Sequence, residues 1–402
     1  MQEQVRNAVL VLNDGSVFKG SGFGATKKIS GEVVFNTGMV GYPESLTDPS
    51  YQGQILTLTY PLIGNYGVPD YDLRDEWNIP KYFESDVSTV KPGDDPPKYE
   101  EIKSRNGIKV TALIIHELCK KPNHWESKMN LDEWLKKENI PGIEEIDTRA
   151  LTKKLRVHGV MLGIVQVCEE GEEPDIEALK EEVKYVEDPN DRDLVKEVSI
   201  QEPIIYDNDS KINIALIDTG MKFNILKVLL KNGANVIRLP YDVSVDEILS
   251  YRPTGFFCTN GPGDPAKCAK TIDTIRALIL EEKLPFMGIC LGNQLFALSM
   301  GAKTFKLKYG HRSQNQPAID LETERCYITT QNHGFSVDNE SMKGTDLKLW
   351  FMNANDKTNE GIKHEKQFAY SVQFHPEHTP GPVDAEYLIA NYIKELRRRV
   401  NA

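Results

Sequence analysis

Two rhythms of apolar and polar positions divide this chain. In the first, apolar runs are short and separated by turn residues. Ala8-Val9-Leu10-Val11-Leu12 and Ser16-Val17-Phe18-Lys19 flank Asn13-Asp14-Gly15, a hairpin signal. Residues 32–36 and 54–59 predict further strands. Residues 38–51 between them mix breakers with polar side chains and predict a structured loop. That loop reads first as a plain connection, with donation of Ser50 or Asp48 to a site in the next domain as the functional alternative. Residues 85–107, with Pro92, Gly93, Pro96 and Pro97 among mixed charges, predict an exposed insertion. Residues 109–115 predict a buried strand, and Leu131, Trp134 and Leu135 one helix face. Asp147 is placed to cap a helix over 148–156. Residues 161–167 predict a strand, and 169–182 an acidic loop entering a solvated helix.

The second rhythm follows Asp207-Asn208-Asp209-Ser210-Lys211. Apolar strands at 213–218, 235–239 and 255–259 alternate with helices at 224–232, closed by Gly233, and at 271–282. A further strand runs into Cys290. Such alternation implies a doubly wound, mainly parallel sheet. The expected architecture is therefore α/β: a mixed N-terminal domain over 1–198, a linker over 199–212, and a doubly wound C-terminal domain over 213–402. Ligands of such sheets bind beyond the C-terminal strand ends. Asp218-Thr219-Gly220, Asn260-Gly261-Pro262-Gly263-Asp264-Pro265 and Cys290 all fall there.

Cys290 carries the chemistry. A short apolar run leads into it, a helical pattern follows, and Gly288 and Gly292 flank it. This is the strand–turn–helix of a nucleophile elbow with cysteine at its tip. The new helix aims its positive end and the Leu291 N–H at the sulfur, which favours thiolate. A buried structural cysteine is the bland alternative. A thiol nucleophile needs a base, an orienter and an oxyanion hole. The strand at 369–374 ends in His375-Pro376-Glu377, offering a base and its orienter two positions apart, with His378 as a competitor. Backbone N–H groups of Gly261-Pro262-Gly263 can meet an oxyanion together with that of Leu291, although a simple turn has the same residues. Gln331-Asn332-His333-Gly334-Phe335 predicts a polar turn that supplies substrate contacts or merely decorates a hairpin. No GxxxxGK[ST] run occurs, so no P-loop is expected.

Composition narrows the classes. At 402 residues, two or three domains are expected, and 40% hydrophobic with 27% charged residues is ordinary for a soluble globular protein. A net charge of −12 argues against nonspecific nucleic-acid binding. Six cysteines without CxxC spacing argue for reduced thiols and against a disulfide frame or zinc site. No run of membrane-spanning length and no signal-peptide pattern is present. A cytoplasmic protein without metal, membrane or nucleic-acid partner is expected.

Together, Gly-Ile-Cys-Leu-Gly-Asn-Gln, Asn-Gly-Pro-Gly-Asp-Pro and Phe-His-Pro-Glu resemble a class I glutamine amidotransferase. Residues 37–42, 46–51, 58–67 and 147–152 resemble the small subunit of carbamoyl phosphate synthetase, closest to the glutaminase part of eukaryotic pyrimidine-pathway enzymes. The resemblance implies that Cys290 attacks the side-chain amide of L-glutamine to form a thioester. His375 shuttles protons and Glu377 orients it. Gly263 and Leu291 offer oxyanion N–H groups, and Ser50, Gly261, Gln294, Asn332, Gly334 and Phe335 contact glutamine. Ammonia passes to a large or fused synthetase that uses bicarbonate and ATP. This chain needs no cofactor of its own, since ATP and magnesium belong to that partner. Ser313 and Gln314 depart from the glycines common in relatives, within a segment (308–315) expected to be a loop. Two other readings remain: a catalytically silent module that holds and regulates a synthetase, and an amidotransferase for another acceptor. The second leaves the N-terminal half unexplained.

Overall fold

The computed structural model describes residues 6–70, 73–85 and 107–401. They form two compact units. The first takes in residues up to Leu73, 80–85 and 107–192, and the second residues 74–79 and everything from Asp193 onward. The expected insertion at 85–107 lies, apart from its ends, outside the described residues.

The first unit is built on nine strands: β1 (Arg6–Leu12), β2 (Val17–Gly24), β3 (Lys28–Asn36), β4 (Gln54–Leu58), β5 (Leu62–Ile63), β6 (Ala112–Ile114), β7 (Glu117–Leu118), β8 (Pro141–Glu144) and β9 (Met161–Val167). Seven close into a barrel in the order β1-β2-β8-β6-β4-β3-β9, while β5 and β7 pair apart. The hairpin at Asn13-Asp14-Gly15 joins β1 to β2, with Gly15 at φ 84°. Against the barrel, Trp134, Leu131 and Leu135 from the helix Leu131–Lys137 pack on Val34, Leu56 and Leu113. Asn130 and Glu133 close a reciprocal capping box on that helix. Asp147 accepts from the Ala150 N–H at 2.8 Å and starts the helix Thr148–His158.

Residues 38–51 are not an open loop. They hold a helix at Tyr42–Thr47 and a 3-10 turn at Pro49–Tyr51, buried almost throughout. The breakers act as terminators. Pro43 occupies a first-turn position that needs no N–H, and the Asp48 carboxylate accepts from the Ser50 N–H at 2.9 Å.

The second unit is one ten-stranded sheet. Its strands are β10 (Ile204–Tyr206), β11 (Asn213–Asp218), β12 (Asn235–Pro240), β13 (Gly255–Cys258), β14 (Phe286–Ile289), β15 (Thr304–Asp320), β16 (Cys326–Val337), β17 (Leu347–Asn353), β18 (Asn359–His364) and β19 (Ala369–Val372). The order is β10-β12-β11-β13-β14-β19-β18-β17-β15-β16. The segment expected as a linker therefore contributes an edge strand, because β10 pairs antiparallel with β12. Strand residues alternate between two cores. Leu216, Phe257, Met287 and Val372 face the helices Phe223–Lys231 and Tyr387–Val400. Ile217, Phe256 and Phe286 face the helices Val245–Ser250, Ala269–Leu280 and Leu291–Ser299.

Only β12, β11, β13, β14 and β19 run parallel, so the sheet is mixed where a mainly parallel one was expected. Beyond β19 the strands alternate in direction, ending in the long ribbon of β15 and β16. Residues 308–315 lie inside β15 and 331–335 inside β16, correcting the expected loop and turn. Glycines and polar side chains that resemble turn residues sit at two register shifts of the ribbon, between Lys306 and His311 and between Ser313 and Gln316.

Candidate active site

The site lies in the second unit at the C-terminal ends of β11, β13, β14 and β19. Cys290 links β14 to the helix Leu291–Ser299 at φ 54°, ψ −102°, a strained conformation for a residue with a side chain. Its own N–H donates to Val372 O at 2.8 Å, which ties the elbow to β19. The flanking glycines are required sterically. A Cβ on Gly292 would lie 2.3 Å from Cys258 O, and one on Gly288 would lie 2.8 Å from Gly292 O.

Strand β16 brackets the sulfur and the histidine. Cys290 Sγ lies 3.6 Å from Asn332 O, while the His375 N–H donates to Thr330 O at 2.9 Å. Carbonyls two residues apart face the same side of a strand, so one stretch of β16 backbone holds both the sulfur and the main chain of His375. His375 Nδ1 and Glu377 Oε1 are 2.7 Å apart, and both side chains are sealed from solvent. His375 Nε2 is buried, the other ring nitrogen being taken by Glu377. Burial opposes charge on the ring, but the Glu377 carboxylate outweighs it and holds the imidazole well above its ordinary range, helped by the Cys290 thiol. Burial likewise opposes the Glu377 anion, but Lys222 and His375 draw the carboxyl below its ordinary value. The competitor His378 pairs with Glu386 at 3.3 Å instead.

The other expected residues divide. Gly261 abuts the elbow: a Cβ there would lie 1.9 Å from Thr219 O and 2.8 Å from Leu291 Cδ2. Gly263 has φ 84° and packs against Leu194. The Leu291 N–H sits at the first helical position, ahead of any intrahelical acceptor. Gln294 is buried and donates to Phe335 O at 2.9 Å. Asn332 is buried, and Gly334 and Phe335 are half-buried on the same strand. Ser50 belongs to the first unit, in the 3-10 turn described above.

Two residues of the site escaped sequence reasoning. Gln373 donates to Cys290 Sγ at 3.6 Å and accepts from Gln294 at 3.2 Å and Asn293 at 3.4 Å. Its one signal was a polar residue in an otherwise apolar strand end. Lys222 Nζ stands 3.2 Å from Glu377 Oε1, fully enclosed, and nothing in its spacing marked it.

A doubly wound sheet with a cysteine elbow under a histidine-bearing strand end is the arrangement of class-I glutamine amidotransferases, and that family's model matches residues 215–395. Residues 10–165 match the carbamoyl-phosphate synthase small chain, CPSase domain. The chain is 45% identical over 393 residues to the carbamoyl phosphate synthase small chain of Methanocaldococcus jannaschii, covering 98% of this chain and 99% of that one. It is 43% identical over 390 residues to the carbamoyl phosphate synthase arginine-specific small chain of Neurospora crassa, covering 97% and 80%. With the multifunctional protein CAD of Squalus acanthias it shares 48% identity over 391 residues, 97% of this chain but 16% of that protein. The chain belongs to the carbamoyl phosphate synthase small-chain family.

Proposed function

We propose that this chain hydrolyses L-glutamine and delivers the ammonia to a synthetase that makes carbamoyl phosphate from bicarbonate and ATP. One observation carries the chemistry: a cysteine on a strained elbow beside a buried His375–Glu377 pair. His375 takes the Cys290 proton, and the thiolate attacks the substrate's side-chain carbonyl carbon. The negative charge that forms on the carbonyl oxygen meets the N–H groups of Leu291 and Gly263. His375 returns the proton to the leaving nitrogen, the C–N bond breaks, and ammonia departs from a γ-glutamyl thioester. Water, deprotonated by His375, then attacks the thioester and releases glutamate. Gln294, Asn332, Gly334, Phe335 and Gly261 are assigned to glutamine, Asn332 through a carbonyl 3.6 Å from the sulfur. Small-chain relatives of full length, together with the fused CAD relative, support a synthetase partner that is a separate large subunit or a continuation of the same chain. ATP and magnesium are assigned to that partner. A cytoplasmic setting is supported by six free cysteines, and no described helix is long and apolar enough to cross a membrane.

The test is mass spectrometry of protein quenched during glutamine turnover. An adduct of glutamyl mass on Cys290 is expected. Cys290→Ser should show no adduct and no glutamine hydrolysis, while the partner synthetase still runs on free ammonia. Normal hydrolysis by Cys290→Ser refutes the mechanism.

A further inference from the structure

A carboxylate that orients a histidine needs one acceptor oxygen for it. Here that oxygen is shared. Glu377 Oε1 meets His375 Nδ1 at 2.7 Å and Lys222 Nζ at 3.2 Å, while Oε2 is buried without a hydrogen bond. The side chains of Lys222, His375 and Glu377 are 3%, 1% and 0% exposed, so water screens none of their charges. A cation enclosed beside a ring that must itself become a cation is costly, and a purely structural role would be served better by a neutral donor.

The lysine is firmly held. Its ammonium also donates to His378 O at 2.7 Å. Its backbone N–H donates to Asn260 Oδ1 at 2.9 Å, on the loop that carries Gly261 and Gly263. The preceding turn is fixed by Asp218, whose Oδ1 accepts from the N–H groups of Gly220 at 2.9 Å and Met221 at 2.8 Å. Lys222 therefore joins the oxyanion loop to the histidine strand end through the charge between them.

Resting on the glutaminase reading above, we propose that Lys222 is a positioning residue of the reaction: by sharing Glu377 Oε1 with His375, its ammonium limits how tightly the imidazolium is held. A general acid works best when it releases its proton near the operating pH. An unopposed buried carboxylate would trap the proton on the ring, and the lysine offsets that attraction. The other titratable or charged groups around the dyad are Cys290 on the elbow, His333 on β16, and His378 with its partner Glu386. At the end of β11, Asp218 is neutralised by Arg238 at 2.6 Å. Among these described residues, Lys222 is the one cation touching the Glu377 carboxylate besides His375 itself.

The sign follows. Without Lys222 the imidazolium persists to higher pH, and the enclosed site loses one positive charge that would favour a thiolate. Both limbs of kcat/KM against pH should move upward in Lys222→Met, by about one pH unit. At pH 7, kcat should fall about tenfold, with KM for glutamine changed less than about twofold. Lys222→Arg, which keeps the charge, should restore the wild-type profile. A Lys222→Met profile superimposable on that of wild type overturns the proposal, even if activity falls.

Removing a buried lysine endangers folding, so a second variant and readout are needed. Lys222→Gln keeps a hydrogen-bond donor and removes only the charge. The pH dependence of Cys290 alkylation by iodoacetamide reports the thiolate without turnover. The same upward shift is expected there, and its absence overturns the proposal. If wild-type protein alkylates normally but never hydrolyses glutamine, the glutaminase reading fails and the alkylation shift still judges Lys222.

Discussion

The two halves of the second unit's sheet are built on opposite principles. The parallel half, β11 to β14 with β19, is mainly apolar on both faces, Arg238 and Ser371 apart, and carries its chemistry at the strand ends. The antiparallel half, β15 to β18, buries polar side chains inside the sheet. His311, Arg312, Ser313, Gln331, Asn332, His333, Asn353 and Glu360 are all enclosed there. Glu360 is the centre of one network. It accepts from Asn353 Nδ2 and Gln331 Nε2, each at 2.8 Å, and lies 3.7 Å from His311 Nδ1. Gln331 Oε1 in turn meets His333 Nε2 at 3.0 Å. The apolar half makes a rigid platform for the nucleophile. The polar half holds the strand that lies against the sulfur, and the hydrogen bonds around Glu360 and Gln331 fix it more specifically than apolar contact would.

The largest effect should come from the platform. Gly292→Ala places a methyl 2.3 Å from Cys258 O, a backbone atom that cannot turn aside. The elbow must shift by a sizeable fraction of an ångström. Glutamine kcat/KM is expected to fall at least about a hundredfold, with a loss of about 1–3 kcal/mol in stability by urea unfolding. If activity survives within about threefold, the elbow is not the rigid element described.

Next comes a matched pair of core changes, one in each half. Leu216→Met swaps similar volume in an apolar core and should cost less than about 1.5 kcal/mol. Glu360→Leu also replaces one buried side chain with an apolar one, but strands two amide donors, on Asn353 and Gln331. It should cost about 2–4 kcal/mol. Urea midpoints measure both. Equal costs would erase the distinction between the halves.

That distinction also explains what the sequence disclosed. The βα alternation from residue 213, the elbow around Cys290 and the strand ending at His375 were legible because apolar periodicity and flanking glycines state them locally. In the first unit the hairpin at Asn13-Asp14-Gly15 and the Asp147 cap were legible for the same reason. The antiparallel half was not. Gln331-Asn332-His333-Gly334 has the composition of a turn, and only pairing with β15 makes it the middle of a strand. Residues 308–315 misled in the same way. Tyr42–Thr47 was missed because Gly41 and Pro43, which resemble breaks, begin a helix. Lys222 and Gln373 are defined by partners more than eighty residues away, Glu377 and Cys290, and no local pattern carries such information.

The smallest expected effect is the most diagnostic of the polar half, because it depends on proton binding there. Burial pushes the Glu360 carboxyl up to about 7. Between its ordinary value near 4.5 and about 7, the folded protein therefore holds a proton that the unfolded chain has lost. That contribution to stability is complete at the acid side and declines as pH rises through 7. His311 acts in the same direction. Burial opposes its charge, but Asp356 and Glu360 raise it, so its contribution also fades as pH climbs. Asp356 works at the other end: although burial raises its carboxyl, the bond to His311 pulls it down further, giving stability that is lost only as pH falls below about 4. The buried thiol of the parallel half, Cys258, is pushed up to about 12 by burial and stays silent over this range. Thermal unfolding of the wild type should therefore lose a few degrees in Tm between pH 5 and pH 8. Glu360→Gln removes the carboxyl while keeping its size. It should unfold earlier than wild type at pH 5, with the gap narrowing by pH 8 as the wild type loses its proton. A gap that stays constant across that range would mean Glu360 is ionised throughout, and that its two amide donors alone, without a shared proton, hold β16 against the nucleophile.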